Sequence, residues 1–536
     1  AYTRVSSSTG NSYPDVTRLI KQQMQQGALL FNYSGHGRAD AMSHEYVLSL
    51  ADFQTATSMR LPLWVTASCD IMPFDGQEDN IGEAAFFNKK GGAIAFYGTT
   101  RTVYQSYNRL MNLAFTRYVL SRDDSGRPMP IGEAVRRTKN ELLTTHQDDT
   151  PNKLQYTLLG DPALRLAVPT HGIQVDSVNS TLLDNGTMLT LKAGTKATVT
   201  GRVLGADGMT ASAFNGILTA VLRDIREQIT CRLNDTSKDG AEEPFVYYDR
   251  PNVVYSGSDS VRNGRFSLTF AVPKDIQYSD LDVQLNLYAV NTDKTIEANG
   301  ICNQLAMNGT AEHGQGTAGP NIYCYLNSTA FTNGGSVNTT PYFVAEVNDE
   351  DGINVSSSGI GHDLQLIIDG DMSKTYSLND YFQFDFGSYT KGRVGYSIPE
   401  LPYGKHKLQF RAWDILNNSS TSELTFEVVK GLEPLFLDVE CTPNPARTHT
   451  TFRIVHDRIN AEMSVRLDVF DTSGRHLWSH TENGVSSDNT YTINWDLTVD
   501  GGRRLHTGLY LYRLSIGVDG STYASKTNKL IIFTHQ

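Results

Sequence analysis

Charge, cysteine and long apolar runs are all scarce in this chain of 536 residues. Only 19% of the residues are charged, and the 46 basic and 58 acidic residues leave a net charge of -12. No long basic stripe is present, which excludes a nucleic-acid footprint. The apolar runs fall short of the roughly 18 to 20 residues that a membrane helix needs, so no transmembrane segment is expected. The five cysteines are odd in number. At least one therefore lacks an intrachain partner. Cys302 and Cys324 flank a glycine-rich loop and are candidates for pairing in an oxidising compartment, but spacing alone does not set connectivity. There is no fixed-period repeat and no signal-peptide pattern, and residue 1 is Ala rather than Met. The expectation is a processed chain or a fragment.

Hydrophobic residues make up 39%, enough for true cores, and at roughly 150 residues per domain the length fits three to four domains. Residues 1–167 alternate helix and strand. Helical spacing covers 14–26, between Ser12 and a stop at Gly27, then 80–90, 103–121 and 131–146. Apolar strands cover 28–33, 61–68 and 93–97. Continuous apolar strands separated by helices predict a parallel sheet covered on both faces. The strands are too few for a complete sheet, which also suggests missing N-terminal sequence. After residue 168 short alternating runs between Gly, Asn, Ser and Thr predict β-sandwiches. Examples are 187–192, 197–203, 265–272, 362–369, 406–413, 465–470 and 508–516. The expected architecture is multidomain, α/β followed by all-β. Its domains are 1–167 (α/β), 168–310 and 311–431 (β-sandwich-like), and 432–536 (a C-terminal β-sandwich).

Two consecutive strands end in reactive residue types. "FNYSGHGRAD" places His36 between Gly35 and Gly37, and "LPLWVTASCDIMPFDG" ends its apolar run at Cys69. Either residue alone reads as a turn histidine or a small buried thiol. Together, at the carboxyl ends of strands where open α/β sheets bind ligands, they read as base and nucleophile. A thiol needs a base to become the attacking thiolate. The Gly37 N–H, unobstructed by a side chain, and the Cys69 N–H are candidate oxyanion donors. Asp70, Asp75, Glu78 and Asp79 follow and could shape a substrate pocket or simply form a solvated acidic loop.

"NDEDGIN" (348–354) and "IIDGDMS" (367–373) gather carboxylates around Gly turns. Asp349, Asp351 and Asp369 are candidate ligands of one calcium ion, although the spacing is not that of an EF-hand and a solvated turn is the simpler reading. No cofactor is required by the expected chemistry. The sequon Asn32-Tyr-Ser abuts His36, where a glycan would crowd the site, so the sequons are not read as used.

"NYSGHG", "WVTASCD", "GEAAFFNKKGGAIAFYG" and "YTLLGDPALRL" resemble the gingipain-like cysteine peptidases, family C25 of the caspase clan. The resemblance covers about residues 13–167. It implies a His36–Cys69 dyad with Gly37 in the oxyanion hole, and an acidic partner of His36 upstream of residue 1. "CTPNPARTHTTFRI", "VRLDVFDTSGRHL" and "GLYLYRLSIG" resemble the C-terminal signal domain of type IX secretion cargo. A peptidase and a signal-like domain on one chain resemble the sortase of that system. This likeness implies an endopeptidase and transpeptidase that removes signal domains from cargo and joins the cargo to anionic lipopolysaccharide through a Cys thioester. It also implies an outer-membrane β-barrel anchor and a place on the extracellular face of a Gram-negative outer membrane, peripherally attached. The alternatives are an ordinary secreted peptidase that is itself cargo, and a non-catalytic adhesion or scaffold protein.

Overall fold

The structure, a computed structural model, describes residues 4–533 apart from 8–9, 59, 185, 234–241, 312–315, 357, 360, 487, 500–501 and 519. The first 167 residues carry a four-stranded sheet of β1 (Leu30–Ser34), β2 (Leu63–Ala67), β3 (Ala95–Thr99) and β4 (Tyr156–Leu159), in that order. The β1, β2 and β3 strands run parallel. β4 is antiparallel, so the sheet is mixed rather than wholly parallel as expected. All five residues of β2 and of β3 are buried, which explains their unbroken apolar runs.

Alternate residues of these strands feed two cores. Leu63, Val65, Ala95 and Tyr97 pack under α4 (Gln105–Val119) and α5 (Ile131–Thr144). Trp64 and Phe96 pack on the opposite face, against Met24 of α1 (Pro14–Gln26), Phe53 of α2 (Leu50–Thr55) and Ala85 of α3 (Ile81–Phe87). The period of two along a strand divides the residues between the faces. Proline starts α1, and Gly27 ends it at φ 90°. Ser49 and Asp52 form a capping box on α2. The Asn80 side chain accepts the Glu83 N–H and caps α3.

Residues 171–310 depart from the sandwich expectation. Nine of their strands form one sheet, apart from the hairpin of Glu227–Thr230 and Val246–Asp249, and it closes on itself where His171–Val178 pairs in parallel with Glu297–Thr310. The chain can close because its strands are long and bulged. Ser279–Asn291 and Glu297–Thr310 have 13 and 14 residues, and their register shifts twice. Bulges bend strands and increase twist, which favours closure over two flat layers. A side chain at Gly300 would meet the Ile173 carbonyl oxygen at 2.2 Å, so the closing seam requires glycine there.

Residues 321–428 do form two sheets, of four and five strands, around one core that includes Phe343 and Phe410. Residues 436–532 pair a three-stranded with a five-stranded sheet around Phe452, Leu467 and Leu514. Here the quoted motifs have plain structural jobs. Asn444, between two cis-prolyl bonds, donates to Lys529 O at 2.9 Å and accepts from the Ile531 N–H at 2.9 Å, tying the opening segment to the last strand. Asp471 Oδ1 accepts the Ser473 and Arg475 N–H groups around Gly474. Tyr512 of the closing strand is buried in the core.

All five cysteines are free thiols. Cys302 lies in the core of residues 173–307 and Cys324 in the next core, so the proposed pairing does not form. Burial raises both thiols, Cys324 to about 12. Among the described residues, no helix is long and apolar enough to cross a membrane.

Candidate active site

β1 and β2 pair in parallel from Leu30↔Leu63 to Ser34↔Ala67. His36 and Cys69 each stand two residues beyond that last pair. The two chain ends therefore leave the same sheet edge side by side, about 5 Å apart. The Gly35 N–H still donates to Ala67 O at 3.3 Å, which carries the pairing into the turn. A Cβ built on Gly37 would sit 2.7 Å from Ser68 Oγ, 2.9 Å from Ser68 Cβ and 3.2 Å from Cys69 O. The histidine turn thus lies directly against the cysteine loop, and the missing side chain of Gly37 is what allows it.

The imidazole of His36 is exposed, and Cys69 is partly buried. The Cys69 thiol packs on the α4 and α5 side, with Val103 O at 3.4 Å. Two short strands, Gly37–Arg38 and Ala41–Met42, carry the chain back from His36. They bring His44 onto His36 as a parallel stack, with ring centroids 4.5 Å apart and planes at 12°. His44 was not singled out from the sequence, because a six-residue excursion separates it from the motif. Among the described residues, no side chain hydrogen-bonds the His36 imidazole. The stack is what orients the ring.

The acidic residues after Cys69 divide. Asp70 adopts φ 46° and accepts from Thr102 Oγ1 at 2.7 Å. Asp75 pairs with Arg101 at 2.5 Å, and this hydrogen bond holds its carboxyl below the usual range. Glu78 and Asp79 lie on the exposed stretch that follows. Asp70 and Asp75 therefore tie the cysteine loop to the loop after β3, a role the sequence did not indicate. The Asp70 N–H donating to Arg101 O and the Met72 N–H donating to Thr99 O strengthen the same seam.

The metal expectation needs correction. Asp349 and Asp351 come together with Asp414, their carboxylate oxygens within 4.8 Å of one another. Asp369 instead faces His406 Nδ1 at 2.8 Å and accepts the Lys407 N–H at 3.0 Å. Asp414 follows Trp413 at the end of the strand Gly404–Trp413, and an isolated bridge to Ile353 draws it to the 349–352 turn. Burial and mutual repulsion raise the Asp349 and Asp414 carboxyls. Such an oxygen set suits a hard cation such as calcium.

Similarity to known proteins bears on this geometry. Residues 1–167 match the model of peptidase family C25. The similarity to this family extends over the first 167 residues of the 536. Among solved structures, dimeric latent PorU from Porphyromonas gingivalis shares 32% identity over 83% of this chain and 41% of its own, with a TM-score of 0.37. The Arg-specific cysteine proteinase gingipain R shares 16% over 55% and 56%, with a TM-score of 0.27. This chain thus spans less than half of the PorU structure. No curated protein matches. The matched residues include the paired strand ends described above.

Proposed function

We propose that the C25 domain is a cysteine endopeptidase in which Cys69 is the nucleophile and His36 the general base and acid. The observation that carries this reading is the in-register pairing of β1 and β2, whose last pair, Ser34 and Ala67, stands two residues before His36 and two before Cys69. The Cys69 sulfur adds to the scissile carbonyl carbon as its proton passes to His36. The carbonyl electrons collect on oxygen, beside the Gly37 and Cys69 N–H groups. Collapse breaks the C–N bond, His36 returns the proton to the leaving amine, and a thioester remains on Cys69. Water then yields a carboxylate. An amine yields a new amide and restores the thiol.

The finer reading is a PorU-like sortase of type IX secretion. The substrate is the junction between cargo and its C-terminal signal domain, and the acceptor amine belongs to anionic lipopolysaccharide. Support comes from the three C-terminal motifs, each of which holds its own sandwich together. On this reading a PorV-like outer-membrane β-barrel anchors the protein at the cell surface. The test uses a reporter fused to a type IX signal domain, with a small amine added as acceptor. Removal of the signal domain with capture of the amine supports the sortase reading. Cleavage to a free carboxylate alone points to an ordinary peptidase. Continued cleavage by Cys69→Ala overturns both.

A further inference from the structure

Tyr33 lies at the fourth position of β1, with its ring against the α1 to α3 face of the sheet. Its hydroxyl donates to the carbonyl oxygen of His36 at 2.6 Å. The same oxygen accepts the Ser43 N–H at 2.9 Å. Two donors therefore hold one carbonyl, on the side of the returning strand. The carbonyl belongs to the peptide whose other half is the Gly37 N–H. A trans peptide is planar and points its C=O and N–H in opposite directions. Holding the oxygen toward Ser43 turns the Gly37 N–H away from the returning strand and leaves it available to a substrate. The clamp also explains Gly35. A Cβ there would stand 2.8 Å from Tyr33 Oη and 3.1 Å from Cζ, so only glycine lets the hydroxyl reach beneath the turn.

We infer that Tyr33 is a positioning residue that fixes the His36–Gly37 peptide as an oxyanion donor. The inference rests on the nucleophile reading of Cys69 and adds to it the group that aims the donor. Burial, with the Glu45 charge nearby, raises the phenol to about 12, so it stays a donor at any pH where a thiol–imidazole pair works. Preorganised donors of this kind act because they need no reorientation when charge develops.

The test separates acylation from alkylation at Cys69 in the full chain. Acylation by p-nitrophenyl acetate passes through a tetrahedral oxyanion. Alkylation by iodoacetamide displaces iodide and forms none. In Tyr33→Phe, acylation should fall about tenfold, less than the roughly hundredfold of a donor removed outright. Alkylation should stay within about twofold, because the thiol and its base are untouched. Gly35→Ala, which displaces the hydroxyl but keeps the ring, should show the same split. Unchanged acylation in Tyr33→Phe overturns the inference. So does an equal fall in both rates, since that reports general loosening. Peptide mapping places the acetyl group. If the wild-type chain does not acetylate at Cys69, the nucleophile reading falls and the Tyr33 role falls with it.

Discussion

Replacing Gly37 with alanine tests the closeness of the two loops. The added methyl would meet Ser68 Oγ at 2.7 Å and Ser68 Cβ at 2.9 Å. Ser68 is only 1% exposed and has no room to retreat. Its Oγ has no hydrogen-bond partner among the described residues, so nothing there rewards a move. Ordinary contact lies at about 3.5 to 4 Å, so the histidine turn must lift from the cysteine loop by close to 1 Å. A shift near 1 Å at a reacting centre costs on the order of a hundredfold in rate. That equals about 2.7 kcal/mol of transition-state stabilisation. The expected result for Gly37→Ala is a kcat/KM lowered about a hundredfold toward an ester substrate, with the fold retained. Overpacking costs roughly 1 to 3 kcal/mol of stability, a modest drop in Tm. The double variant Gly37→Ala/Ser68→Gly removes both of these contacts, and the next atom, Cys69 O, stands at 3.2 Å. It should recover much of the rate, a coupling that distant sites would not show. Full activity in the single variant at an unchanged Tm would refute the geometry.

Three further outcomes follow from other contacts. His44→Ala removes the ring stacked on His36 and should lower the rate of Cys69 acylation about tenfold through lost orientation, while His44→Phe, which keeps a flat ring, should retain more. His456 is buried, accepts the Arg458 N–H on Nδ1 and faces Ser486 Oγ through Nε2, and burial lowers it to about 4. An unfolded histidine near 6.5 takes up the proton first, so stability is intact above that pH and falls by about 3 kcal/mol as pH drops to 4. Thermal melts across this window, with His456→Gln as comparison, check the sign. Asp349 Oδ1 accepts the Asp351 and Gly352 N–H groups, which Asn can also satisfy. Its folded carboxyl is raised, so ionisation costs stability above the folded pKa and the cost fades as pH falls toward the unfolded value. Asp349→Asn should therefore raise Tm at neutral pH in chelator, with the gap narrowing in acid. A lower Tm under those conditions would contradict the repulsion.

The two strands that lead to the candidate residues were readable because their signals are local. Apolar residues open the strand before His36 and fill most of the strand before Cys69, and each residue stands two positions past its strand's end. What escaped depends on contacts distant in sequence. His44 reaches His36 through a hairpin too short to show periodicity. Asp414 joins Asp349 from over 60 residues downstream, and Asp369, nearer in sequence, is taken by His406. The closure of residues 171–310 rests on one parallel pairing between strands more than 100 residues apart. Alternation gives a strand's two faces but not its far neighbour.

The equal spacing of His36 and Cys69 beyond Ser34 and Ala67 has a consequence for how this site tolerates change. The two strands act as rulers laid side by side, and on the proposed dyad the chemistry depends on the count. Many substitutions at Ser34 or Ser68 would leave that count intact. Loss of a single residue at either place would not, because successive side chains point to opposite faces. It would turn the imidazole or the thiol to the wrong side of the sheet while the cores beneath stay packed. Length variation in this domain should therefore gather in residues 74–79 and in the turn before His44, and spare the two residues ahead of His36 and of Cys69.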